Sequence, residues 1–495
     1  MLISLVISSA FAMNGECITP QKMRAFTEIP AVVPYPPPPA DGEKAEREVD
    51  FPLENSLSSE NFVVKWGNEN LNQYDLDRLL DTFEVAWDSI TTGMGYPAPV
   101  GSDTHLVNIY IGDSGDGSPD MLGAAGYQTL DSEGWPMIVI SKGVLSGNGG
   151  DTSTAVHEFF HAVQHAVGNY GYWGEGAWFF EATACWIEPE VLVNDLTYMQ
   201  FIFGYALIPQ YSLHFFDYPD TGTLPEYHQY GAFLFPRYLS EHVADPQLIQ
   251  DVWEYSLSQN DPLKALEAIW SDTDLSLEDV FIDFAAHNSV WDYSDGDHYE
   301  LWVNYYATQM PEWDCTVSAE YWGGGTQGFV EANPDCIPQS FGYNVIELES
   351  PNSGDLVVSL DGDLAGDRLG IANWRAQLVL DRWGSYEYVN IPVEDGEGTL
   401  TICDFDADKV NLVVGAISGN SSIGEEFGYS YDLSVVTGAE GCDEPVDTGQ
   451  NDTSNPGGSD PSGGCSCSVT KGNHRDNLVW LAGIISASLV IRRRR

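Results

Sequence analysis

Hydrophobic positions change their period along this chain, and the changes mark its segments. "HLVNIYIG" (105–112) alternates Val107, Ile109 and Ile111 on one face, which predicts a strand. "NFVVKWG" (61–67) and "PMIVIS" (136–141) read the same way. Between 67 and 105, Leu76, Leu79, Leu80, Phe83, Trp87 and Ile90 recur at helical spacing. Another helix is expected from Asp151 as N-cap, with Thr154 at N3, to a stop at Gly168-Asn169. Helical patterns follow at 178–190 and at about 196–208, 230–242, 247–257, 262–271 and 276–289. After 340 the texture shifts to short strands such as "YNVIELE", "DLVVSLDG" and "VNLVVGAIS", separated by Gly, Asp and Asn turns. The pattern predicts an α+β domain, a mixed sheet followed by a helical half, and then an all-β sandwich over 340–437.

Composition narrows the setting. The chain has 495 residues, with 75 Asp+Glu against 19 Lys+Arg, a formal charge of −56. So acidic a surface repels phosphate backbones and argues against nucleic-acid binding. "LISLVISSAFA" ends in an A-x-A pattern, so residues 1–12 read as a signal peptide. Residues 13–50 are proline-rich and aperiodic, an expected leader or propeptide. In an exported chain the eight cysteines imply disulfides. Cys315 with Cys336, inside a connector at 311–339, is one expected pair, and Cys403 with Cys442 another. Cys17 and Cys185 have no evident partner. Residues 438–476 read as a flexible linker carrying Cys465 and Cys467. "NLVWLAGIISASLVI" (477–491) precedes four arginines. At ~1.5 Å per residue it spans roughly 22 Å, short of a full bilayer core.

The chemistry concentrates in "VHEFFHAVQHA" (156–166), with His157, His161 and His165 four apart. Residues i and i+4 share a helix face, so His157 and His161 can reach one ion. Glu158, beside the first histidine, can take a proton from the attacking water. From His157 to His165 the helix rises roughly 12 Å. Donors to one zinc lie within about 4 Å of each other, so His165 is a bystander. A carboxylate from the next helix is the better third ligand. Glu181 sits in the apolar run "WFFEATACWIEPE", with Trp178, Phe179, Ala182 and Trp186 placed to pack on the first helix. Glu188, seven residues on, shares its face and can orient a ligating histidine. Glu175 is a weaker ligand candidate, and Glu190 reads as a surface carboxylate. Asp113, Asp116 and Asp120 in "DSGDGSPD" offer oxygen ligands for a calcium ion.

H-E-x-x-H followed by an aromatic-flanked Glu on a second helix resembles the gluzincin zinc metallopeptidases. "HEFFHAVQ", "WFFEATACWIEPEV", "YGAFLFPRYLSEH" and "LEDVFIDFAAHN" together resemble secreted metallopeptidases of myxobacteria. The likeness spans about 61–310 and implies a metallopeptidase-like catalytic domain over 51–310. It implies Zn2+ on His157, His161 and Glu181, Glu158 as general base, Glu188 behind the ligands, and a peptide or protein substrate. An oxyanion donor is also implied, and both His228 and Tyr230 in "EYHQYGAFLFPRYL" remain open for it. The strands "HLVNIYI" or "PMIVIS" would pair with an extended substrate. Linker, "GGCSCSV", apolar run and arginines are similar to the myxobacterial C-terminal sorting signal, which implies display at the cell envelope over 477–495. Two alternatives stay open: a non-catalytic adhesion protein on a peptidase scaffold, and a zinc amidase acting on cell-wall links.

Overall fold

The computed structural model describes residues 17–24 and 44–442, apart from 18, 49, 146–149, 169, 171, 173, 218–222, 256–259, 323–329, 350–353, 363–371 and 419–423. The expected signal peptide, most of the proline-rich leader, and the linker, Cys465, Cys467 and sorting tail lie outside the described residues. Among the described residues no helix is long and apolar enough to cross a membrane.

A short helix, α1 (Thr19–Arg24), comes first. Five strands form the first sheet: β1 (Asn55–Ser58), β2 (Phe62–Trp66), β3 (Val107–Gly112), β4 (Gly126–Leu130) and β5 (Pro136–Ser141). Their order is β1-β2-β3-β5-β4. β2, β3 and β5 run parallel, while β1 and β4 are antiparallel edges. The expected substrate-pairing strands therefore need correcting. β3 and β5 each have neighbours on both sides, so their backbone groups are spent on the ladder. The edge beside the site is β4, whose "GYQTL" lacks an alternating pattern because both its faces are buried.

Both faces of this sheet are covered, which suits its parallel centre. Phe62, Val64, Ile109, Ile111, Ile138 and Ile140 face the main core. Tyr110, Tyr127, Met137 and Val139 form a smaller cluster on the other side with Met121. Against the first face lie α2 (Gln73–Trp87), capped by the Asn72 side chain, and α3 (Gly150–Val167). α3 starts at Gly150, so Asp151 lies inside its first turn and is not the N-cap. It stops as expected at Gly168, which takes a φ of 70° that only glycine adopts freely. Phe159 and Phe160 anchor α3: the Phe159 ring is 5.5 Å from Phe62, and Phe160 is 5.3 Å from Tyr96. The two variable positions of H-E-x-x-H thus turn the histidines away from the sheet.

There they meet α4 (Ala177–Val191), buried along nearly its whole length. The helical half that follows is more broken than its periodicity suggests. The 230–242 pattern divides into Leu234–Tyr238 and flanking short turns. Pro236 has no N–H for the Ala232 carbonyl, which accepts from Phe235 instead at 3.0 Å. Cleaner helices are Gln247–Glu254, Pro262–Ile269, α5 (Leu277–Asn288) and Gly296–Gln309.

Two further five-stranded sheets make the C-terminal β layer pair. The connector supplies one strand to each: Ala319–Trp322 pairs with Gly342–Glu349, and Val330–Glu331 pairs with Tyr429–Val436. Both expected disulfides are present, Cys315–Cys336 and Cys403–Cys442. One sheet packs on α5, where Phe281 and Phe284 meet Tyr343 edge-on and Asn411 bonds the Ser289 carbonyl at 3.0 Å.

Candidate metal centre

α3 and α4 bring four donor atoms together. One nitrogen of His157, one of His161, a Glu181 oxygen and the Cys17 sulfur all lie within 4.8 Å of one another, and all four residues are buried. His157 Nε2 is 3.1 Å from Glu181 Oε2, and His161 Nε2 is 3.6 Å from Glu181 Oε1. Cys17 Sγ is 3.5 Å from His161 Nε2. Tetrahedral zinc, with bonds of about 2.0–2.3 Å, sets neighbouring donors roughly 3.3–3.6 Å apart, so this donor set fits the ion. Nitrogen, oxygen and sulfur together suit zinc better than calcium or magnesium.

The outward nitrogens are also committed. His157 Nδ1 is 2.9 Å from Glu188 Oε1, and the Ser153 hydroxyl bonds the other Glu188 oxygen. His161 Nδ1 donates to Gln164 Oε1 at 2.7 Å. Gln164 is itself fixed, its amide donating to the Phe180 carbonyl and to Thr183 Oγ1, each at 3.0 Å. Both rings are thus locked with Nε2 inward, as metal-binding imidazoles are. The sequence marked Glu188 for this work and missed Gln164, although its i+3 place after His161 was the available signal.

Electrostatics fit a site that expects a cation. Burial would raise Glu181, yet His161 and His157 hold it down at about 2. Burial would lower His157, but bonds from Cys17, Cys185, Glu181 and Glu188 hold it well above the usual imidazole value. Glu158 differs: burial raises it against the pull of His161 and His157. Its Oε1 has no hydrogen-bond partner, a buried oxygen facing the cluster's side of β4. Gly126 of β4 makes this possible, because a Cβ there would stand 2.9 Å from both Glu158 Cγ and Oε1.

The remaining nominated residues fall into two groups. Tyr230 tilts over the site, its ring 6.3 Å from that of His157, and its hydroxyl donates to the Cys17 carbonyl at 2.8 Å. His228 turns elsewhere: Nδ1 meets the Phe215 carbonyl at 3.1 Å, and the ring packs on Tyr205 and Phe215. Burial drives it down to about 3. His165 lies outside the donor cluster, Glu175 is exposed, and Glu190 pairs with Arg237 at 2.7 Å. Asp113, Asp116 and Asp120 do not join in a donor cluster. Each accepts from its own loop's surroundings: Asp113 from Met121 N, Asp116 from Asn68, Asp120 from Leu122 N. These bonds hold the loop's own turns and its contact with Asn68.

A family model matches residues 30–416, which takes in the strands, both site helices and most of the β layers. The chain belongs to that family, DUF6055, described as a family of unknown function. No curated protein matches the chain. Among solved structures, it is similar to the pre-peptidase C-terminal domain of a collagenase from Bacillus anthracis, at 14% identity and a TM-score of 0.17. That match covers 24% of this chain and 96% of the other. A family GH115 4-O-methyl-α-glucuronidase matches at 10% identity and a TM-score of 0.16, over 58% of this chain and 40% of that one. Likenesses this weak carry no argument about fold or function.

Proposed function

We propose that this protein is an exported zinc-dependent peptidase with a gluzincin-type site. The observation that carries this reading is the convergence of His157, His161 and Glu181, with Glu158 sealed beside them. Bound zinc would supply Lewis-acid activation of water and of the scissile carbonyl. Glu158 accepts a proton from the attacking water and returns it to the leaving amine. Its raised proton affinity, caused first by burial, suits that double task. The Tyr230 hydroxyl donates to the developing oxyanion. The outer edge of β4 would pair with an extended peptide once the contacts of Cys17 and Thr19 to it are released, holding the scissile bond in register. Two disulfides fit an oxidising compartment, in line with export and display at the cell envelope.

The test is zinc content together with peptide-library cleavage by residues 44–442, wild type against Glu158→Gln. The variant should keep its zinc and lose roughly 100- to 10,000-fold in kcat. Unchanged cleavage in Glu158→Gln would sink the mechanism. A zinc-loaded wild type that cleaves cell-wall amides but no peptides would redirect it.

A further inference from the structure

The leader residues near the site occupy each feature that catalysis needs. Cys17 places its sulfur among the three zinc donors, 3.5 Å from His161 Nε2. Its carbonyl takes the Tyr230 hydroxyl at 2.8 Å, the bond assigned above to the oxyanion. Thr19 Oγ1 donates to Glu158 Oε2 at 2.9 Å, which engages the base. The same hydroxyl accepts the Gln128 N–H of β4 at 2.6 Å, and Cys17 bridges Gly126 in parallel fashion, so the edge is taken too. Lys22 lies over the Tyr127 ring at 4.6 Å, and Met23 is buried. What remains beside the cluster is a cavity of about 30 Å³. That holds one or two waters and no peptide.

Cys185, the other free thiol, is placed differently. It is 3.9 Å from His157 Nδ1, the nitrogen already held by Glu188. It therefore stands behind the imidazole, on the side away from the donors, and Cys17 alone faces them.

We propose that Cys17 is the fourth zinc ligand and that Cys17 and the helix Thr19–Arg24 form an intramolecular plug that must leave before substrate binds. The inference rests on the zinc reading above. A thiolate closes the coordination shell in the way of a structural site, where a catalytic site keeps one position open. Ligation releases the thiol proton to solvent and involves no redox change. Because the ligand is tethered, its effective concentration is high, and cleavage of the leader downstream of Arg24 or displacement by a competing ligand would free the site.

The experiment uses the full exported chain loaded with cobalt(II) or zinc, as wild type, Cys17→Ser and Cys185→Ser. Wild type and Cys185→Ser should show a near-ultraviolet thiolate-to-cobalt charge-transfer band that Cys17→Ser lacks. With zinc, Cys17→Ser should cleave a peptide library about tenfold or more faster than wild type. In the wild type, iodoacetamide should label Cys17 slowly with zinc and faster after chelation, a readout independent of how the variants fold. A band lost in Cys17→Ser with no cleavage by any variant keeps the fourth ligand and overturns the peptidase reading. Equal cleavage by wild type and Cys17→Ser, with no band, overturns the plug and leaves the peptidase standing. A Cys17–Cys185 disulfide in the unreduced protein would also overturn it.

Discussion

Two imidazoles in α3 are aimed by residues outside the four-donor cluster. Glu188 and Gln164 hold the outer nitrogens of His157 and His161, so Nε2 faces inward on both. Replacing Glu188 with Ala should weaken zinc affinity by about 10- to 100-fold, read by competition with a chelating dye. His228 gives a second residue-scale prediction. Burial holds it neutral down to about 3. Between pH 6.5 and that value the unfolded chain binds a proton that the folded chain refuses. Stability therefore falls as pH drops below about 6.5, by up to ~1.4 kcal/mol per pH unit, and is unaffected by this group above it. Denaturant unfolding of His228→Gln at pH 7 and 5 should show a flatter acid limb than wild type. At this scale much was legible: i,i+4 spacing gave His157 and His161, and an apolar setting gave Glu181. Cys17 was not, because its partner is 144 positions away and no local period links them. Tyr230 could not be ranked over His228 from a four-residue stretch in which both are buried.

Elements position these residues through close approach. α3 comes near β4 only because Gly126 has no side chain there. In Gly126→Ala the added carbon displaces Glu158 and Thr154 and not the proposed zinc ligands. Zinc content should hold while kcat falls by up to about 100-fold, and a variant with normal kcat would show that Glu158 does not depend on this contact. The central strands and α2, α3, α4 and α5 could be read from periodicity, since each buries a regular set of apolar positions. β4 escaped because a doubly buried edge of Gly, Tyr, Gln, Thr and Leu shows no alternation. The broken 228–243 region escaped for the opposite reason, a good helical period interrupted by Pro236.

Over the whole molecule, an acidic chain folds a mixed sheet, a helical half and a β layer pair as one compact unit through Asp443. The β layers are tied to α5 by shared core, Gln377 and Arg375 bonding Asp283 and Asp279. Pairing of Cys315 with Cys336 and of Cys403 with Cys442 was legible because each pair brackets one segment of the chain. The packing of sheet on helix was not, since it depends on surfaces distant in sequence. The fold's chemical consequence is the four-donor cluster where α3 meets α4, proposed above to hold zinc. Zinc stoichiometry of the purified chain, wild type against Glu181→Ala, tests it most directly. The account predicts one zinc per chain in the wild type and a large loss in the variant; zinc binding indifferent to Glu181→Ala would contradict it.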